Sequence, residues 1–126
     1  MDLGIQGRHA VVAASSAGLG LACARSLARE GAHVVLNGRD EQRLEAAAAA
    51  LRAETSATVL TVAGDVGDPA TRAALVTAFP EPDILVTNNG GPPPGRFADW
   101  DRDQWIEAVD ANLLAPLLLI RDVLDG

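Results

Sequence analysis

Four short apolar runs recur along this chain, at Arg8 to Ala13, Ala32 to Leu36, Thr58 to Val62 and Pro82 to Val86, with a helix-forming stretch between each and the next. The second run is rich in β-branched residues and lacks polar alternation, the pattern of a strand buried on both faces. Between the first two runs, Leu19, Ala22, Cys23 and Leu27 fall at helical spacing over Gly18 to Arg29, and Gly31 supplies a C-terminal stop. Asp40 is placed to cap a second helix through about Glu54. The Ala46 to Ala50 run inside it is helix, because alanine is the best helix former. Asp68-Pro69 reads as the N-cap and first residue of a third helix to about Ala78. Alternation with short connections argues for parallel strand–helix–strand units wound right-handedly. The expectation is an α/β protein with a doubly wound parallel sheet.

The size of the chain and its charge narrow the reading. At 126 residues it supports one domain of modest core and not two, so residues 1–126 are read as a single unit. No apolar run reaches the roughly 18 residues needed to span a bilayer. Met1 to Gly7 carries neither a basic nor an apolar signal segment, so the cytoplasm is the expected location and no membrane partner is expected. A net charge of −7 argues against nucleic acid, whose binding needs clustered cations. The single cysteine, Cys23, has no partner for an internal disulfide and is expected to be a small buried residue of its helix. No metal site is expected. All ten basic residues are Arg; the chain has no Lys and no Tyr.

Val11-Val12-Ala13-Ala14-Ser15-Ser16-Ala17-Gly18-Leu19-Gly20 is an apolar run that breaks into a small-residue turn and enters a helix. The first helical turn has backbone N–H groups without internal partners, and the helix dipole adds positive potential, so a phosphate fits there if side chains stay small. A plain strand-to-helix connection would look similar. After the fourth run, Asn88-Asn89-Gly90-Gly91-Pro92-Pro93-Pro94-Gly95 suits neither helix nor central strand and forms a loop at a strand's carboxyl end, where open α/β sheets bind ligands. Asp101 and Gln104 form a capping-box signature ahead of a long helix. Its stripe of Trp105, Val109, Leu113, Leu117, Ile120 and Leu124 is widened by Leu114, Leu118 and Leu119. Such a helix needs a second surface, and a partner subunit is the simplest one.

With these segments in place, the chain resembles the short-chain dehydrogenase/reductase family over essentially its whole length. Ala13-Ala14-Ser15-Ser16-Ala17-Gly18-Leu19-Gly20 is similar to the family's Thr-Gly-x-x-x-Gly-x-Gly cofactor turn. Asp65-Val66 matches the pair that meets adenine, and Thr87-Asn88-Asn89-Gly90 resembles Asn-Asn-Ala-Gly. Asn112, in Asp110-Ala111-Asn112-Leu113-Leu114, sits where the family keeps a catalytic helix asparagine. The softer resemblance within the family is to 3-oxoacyl-acyl-carrier-protein reductases. The resemblance implies a Rossmann-like sheet of strand order 3-2-1-4 and a carbonyl/alcohol substrate. It also implies cofactor contacts at Ser15, Ser16, Gly18, Leu19, Gly20, Asn37, Arg39, Asp65, Val66, Asn88 and Gly90.

Charge bears on which dinucleotide is expected. An NAD site usually ends its second strand in a carboxylate for the ribose 2′-hydroxyl, whereas a 2′-phosphate calls for a cation. Here the strand ends Leu36-Asn37-Gly38-Arg39, so NADP(H) is expected over NAD(H), with Arg39 on the phosphate. Arg39 also reads as a solvated helix-start residue, and Asp40 beside it weakens the charge argument. Pro116 has no N–H for the carbonyl of Asn112, which is freed at a cost of roughly 3 kcal/mol. It is left either to hold a water, as the family's proton relay implies, or as part of a packed kink. Ala13, Ala14, Thr87 and Asn89 depart from the family pattern. A left-handed Ala14 would cost about 1–2 kcal/mol.

The family's chemistry needs a Tyr acid/base, a Lys and a Ser, and a chain with neither Tyr nor Lys is expected to be inactive alone. The favoured expectation is the amino-terminal half of a longer oxidoreductase, with its catalytic half absent. The alternatives are a non-catalytic dinucleotide-binding or dimerisation module and a nucleotide-free structural partner. A fourth strand left at the edge invites pairing with another chain, so a homo-oligomer is expected, also through the 101–126 helix.

Overall fold

The computed structural model describes residues 2–90 and 94–124. In chain order the elements are β1 (His9–Val12), α1 (Gly18–Arg29), β2 (His33–Gly38), α2 (Glu41–Glu54), β3 (Val59–Ala63), α3 (Pro69–Ala78) and β4 (Ile84–Val86). A 3-10 turn (Phe97–Asp99), α4 (Arg102–Val109), a π-helical turn (Asp110–Leu114) and α5 (Ala115–Leu124) follow. The strands are all parallel in the order β3-β2-β1-β4, the Rossmann-like order expected from the sequence.

Successive side chains of a strand point to opposite faces, and here both faces are covered. Ala10 and Val12 join Val34, Leu36 and Val59 on one side, where Ala24 and Ala28 of α1 and Leu44, Ala48 and Leu51 of α2 meet them. Val11, Ala13 and Val35 go to the other side and pack with Leu75, Phe79, Ala115 and Leu119. That double burial is why the central strands carry no polar alternation.

The local signals act as read. Asp40 accepts from the Arg43 N–H at 3.1 Å, and Asp68 accepts from Ala70 N–H at 3.0 Å with Pro69 opening α3. Asp101 and Gln104 cap each other reciprocally, both at 2.9 Å. Elsewhere the elements shift from expectation. β2 runs on through Asn37 and Gly38 because β3 still pairs with them there. β4 starts at Ile84, since Pro82 has no N–H; the Asp83 N–H makes the contact to the His9 carbonyl at 2.8 Å. Cys23 is exposed, not buried, because the neighbouring Ala24 takes the core position.

The helix expected over 101–126 is not one regular helix. The Ala115 N–H donates to the carbonyl of Asp110, five residues back, so the ladder is wound out by one residue just before Pro116. Beyond that turn only Ala115 and Leu119 are buried, while Trp105, Ile106, Val109, Leu113, Leu117 and Leu124 stay exposed. Among the described residues no helix is long and apolar enough to cross a membrane.

Candidate functional site

The carboxyl ends of the strands are knotted together around one strained residue. Ala14 has φ +47°, a left-handed conformation that a Cβ disfavours. Its N–H donates to Asn37 Oδ1 at 3.0 Å and its carbonyl accepts from Asn88 Nδ2 at 2.9 Å. Both backbone polar groups of the strained residue are therefore gripped by side chains, one from β2 and one from the loop after β4. Asn37 is buried, and its Nδ2 also donates to the carbonyls of Val62 and Gly64 at 3.0 and 3.1 Å. One amide thus joins the ends of three strands.

Ser15, expected at the cofactor, is turned away from the cleft. It is fully buried; its hydroxyl donates to the Val12 carbonyl at 2.7 Å and accepts the Asn37 N–H at 3.0 Å. Asn88 likewise spends its amide on the Ala14 carbonyl. These two asparagines and Ser15 shape the turn, and the turn presents the first residues of α1. A Cβ on Gly20 would overlap the Ala14 carbonyl oxygen and stand 2.8 Å from Asn88 Nδ2, so the close approach requires glycine there. Ala17, before α1, offers no side-chain cap to the helix N–H groups of Gly18, Leu19 and Gly20. The Leu19 side chain itself is 81% exposed, so its contribution would be its backbone N–H.

Beside this turn lies a cleft of about 220 Å³ whose lining includes Ser16, Gly38, Arg39, Arg43, Asp65, Val66 and Gly90. A Cβ on Gly38 would sit 2.8 Å from both Cβ and Oγ of Ser16. Gly38 lines the cleft next to Asn37, and it is the strand-end position where a side chain would meet Ser16; neither residue brings a carboxylate. Arg39 and Arg43 bring two exposed guanidinium groups to the same space. Arg43 escaped the sequence reading, although it follows Arg39 by four residues into the first turn of α2, a spacing that puts side chains on one face.

Asp65 heads a tight turn, its Oδ1 accepting the Gly67 N–H at 2.9 Å. Val66 is mostly core, 7% exposed, with only its edge at the cleft. The turn is fixed from behind by Arg72, a buried residue that donates to the carbonyls of Val66 and Gly67 at 2.9 and 3.0 Å. Arg72 Nε also lies 3.5 Å from Asp122 Oδ2 on α5. No pattern in the sequence pointed to this residue.

A second cleft of about 680 Å³ adjoins the first, sharing Arg39, Asp65, Asn89 and Gly90 with it. Asn112 lines it, together with Trp100, Gln104 and Glu107. Asn112 Nδ2 donates to the Ala108 carbonyl at 2.9 Å. The sequence reading pointed to the Asn112 carbonyl as the acceptor left without a partner by Pro116. The contact that forms is one residue earlier: Asn89 Nδ2 donates to the carbonyl of Ala111. Gly91, Pro92 and Pro93, the centre of the loop expected to wall this cleft, lie outside the described residues. Gly95 packs edge-on to the Trp100 indole, leaving no room for a side chain.

Residues 8–126 match the short chain dehydrogenase family. The uncharacterized oxidoreductase YvaG of Bacillus subtilis (strain 168) is 37% identical over 122 residues, which are 96% of this chain and 46% of that protein. L-sorbose reductase from Gluconobacter frateurii, solved with NADPH and L-sorbose, superposes with a TM-score of 0.93 at 37% identity over 100% of this chain and 49% of its own. A variant of actinorhodin polyketide ketoreductase with NADPH gives a TM-score of 0.82 at 30% identity, covering 94% of this chain and 46% of its own. The chain therefore spans about half the length of the proteins it matches. On a family match over nearly all its residues and a shared sheet order, the chain belongs to the short chain dehydrogenase family of oxidoreductases.

Proposed function

We propose that this chain is the nucleotide-binding part of an NADP(H)-dependent oxidoreductase that interconverts a carbonyl and an alcohol. The observation that carries the reading is the first cleft, where a side-chain-free strand end, Gly38, stands beside two guanidinium groups, Arg39 and Arg43. A 2′-phosphate is dianionic and planar guanidinium groups bind it with charge-assisted hydrogen bonds, whereas a ribose 2′-hydroxyl gains nothing from them. Structural relatives solved with NADPH support the same choice. Ser16 adds a hydroxyl beside Gly38, the α1 N-terminus offers N–H groups for the pyrophosphate, and the Asp65-Val66 turn offers an edge for the adenine. Asn89, Gly90 and Asn112 would then face the nicotinamide end.

Bound there, the dinucleotide supplies the hydride and leaves the proton to the protein. The carbonyl oxygen gains that proton from a group held in reach, and the family resemblance assigns it to a Tyr–Lys pair with a Ser. This sequence has no Tyr and no Lys, so its own residues bind and orient, and we expect the chain alone to bind nucleotide without turnover. A 3-oxoacyl or related ketone substrate is the reading that the named polyketide ketoreductase favours. The exposed apolar stripe of α4 and α5 favours a homo-oligomer through that helix pair. The same missing residues favour, as a second reading, a non-catalytic dinucleotide-binding or dimerisation module.

Titration with NADPH and NADH, followed by nucleotide fluorescence, tests the proposal. NADPH is expected to bind at least about tenfold more tightly, and the double variant Arg39→Ala/Arg43→Ala is expected to erase the preference. Equal affinity for the two nucleotides, or binding of neither, would overturn it.

A further inference from the structure

The π-helical turn leaves one backbone acceptor without its regular partner, and a side chain from the neighbouring loop takes it. In an α-helix the Ala111 carbonyl would accept from Ala115, but the Ala115 N–H reaches back to Asp110 instead. The donor that a widened turn would offer, residue 116, is proline and has no N–H. Asn89 fills the vacancy with its Nδ2, and its Oδ1 accepts the N–H of Gly90 at 2.6 Å. A single amide therefore clamps the loop after β4 to the turn that carries Asn112; both ends of the clamp line the second cleft, with Asn89 and Gly90 at its border with the first. An alanine could make neither contact. Asparagine at this position and Pro116 in the helix are thus two parts of one device.

We infer that Asn89 is a positioning residue: it fixes the Gly90 peptide and the Asn112 turn at the spacing that the nicotinamide half of the cofactor requires, while leaving the adenosine half to Arg39, Arg43 and Asp65. The inference rests on the dinucleotide-binding reading, and its test separates the two. Two probes are compared on the whole chain: NADPH, which carries the nicotinamide half, and 2′,5′-ADP, which lacks it. Asn89→Ala is expected to weaken NADPH by about fivefold, the effect of one lost hydrogen bond, and to change 2′,5′-ADP by less than about twofold. Asn89→Asp keeps the acceptor for Gly90 but presents an oxygen to the Ala111 carbonyl, and it is expected to match or exceed the alanine variant. A general loosening of the fold would weaken both probes together, so the ratio is the quantity that a structural role does not move. A parallel loss of both probes, or no loss of either, overturns the inference. A wild-type chain that binds neither probe overturns the dinucleotide reading itself, whatever Asn89 does.

Discussion

The two ends of this parallel sheet are built from different kinds of interaction. At the carboxyl end, the buried amide of Asn37 and the half-buried amide of Asn88 grip the peptide groups of Ala14, which is held at φ +47°. At the amino end, Arg8 pairs with Asp83 at 3.2 Å, Asp83 accepts the His9 N–H at 2.8 Å, and the His9 ring stacks on Phe79 with centroids 4.6 Å apart. The first set is largely buried, ties together the ends of several strands and holds a residue in a conformation it disfavours. The second is mostly exposed, relaxed and spent on holding a strand end in place. Strain is kept where the cleft lies, and polar groups buried there serve to over-determine it.

Replacing Asn37 by Asp breaks the carboxyl end most severely. The substitution keeps the shape but turns Nδ2 into an oxygen facing the carbonyls of Val62 and Gly64, at 3.0 and 3.1 Å from the present nitrogen. A buried carboxylate with two acceptors against it is expected to cost about 3 kcal/mol or more. Urea unfolding at neutral pH measures this. A loss below about 1 kcal/mol would show that the site relaxes and that the asparagine knot is not the element holding the strand ends.

Much of the fold could be read from the sequence because its signals are local. Asp40, Asp68-Pro69 and the Asp101–Gln104 box each act within three residues, and α1, α2 and α3 begin and end where those signals and Gly31 place them. Strand ends were less legible: the apolar run of the second strand stops at Leu36, and β2 continues to Gly38 because it still pairs with β3 there. The site divides in the same way. Gly20, Arg39 and Asp65 were visible in the sequence as pieces of a site, as were Ser15, Asn37 and Asn88; that the side chains of these last three hydrogen-bond backbone groups of the turn was not. Those contacts are long-range, since Asn88 and Ala14 meet across 74 positions of sequence. Pro116 did signal an irregular helix. Which carbonyl it exposed depended on the ladder slipping by one residue, and Asn89 as its partner lay in another element.

A gentler change sharpens the same comparison in the opposite direction. Ala14→Gly removes the left-handed penalty of about 1–2 kcal/mol, and returns part of it, about 0.4–1 kcal/mol, through the greater freedom of glycine in the unfolded chain. The net expectation is a stabilisation of roughly 0.5–1 kcal/mol, with both asparagine contacts to the peptide group retained. A higher urea midpoint at unchanged slope is the predicted result. A lower midpoint would mean that packing of the Ala14 methyl group outweighs the strain, and that the carboxyl end stores none.

The smallest effect is expected at the amino end, and its size depends on pH. The His9 N–H, first, and then the Arg8 guanidinium hold the Asp83 carboxyl below its ordinary value of 3.8. A group with a depressed folded pKa contributes stability that is complete above its unfolded value and fades as pH falls through the folded one. Asp83→Asn keeps an acceptor for the His9 N–H and removes only the charge, so it should melt slightly below the wild type at neutral pH. The gap should close as the solution is taken below the ordinary carboxylate range, where protonated Asp83 and its amide replacement become nearly isosteric and equally neutral. Thermal melts of the two proteins across that range follow the gap directly. If it persists undiminished in acid, charge is not what Asp83 contributes, and the amino end is held by the hydrogen bond and the His9–Phe79 stack alone.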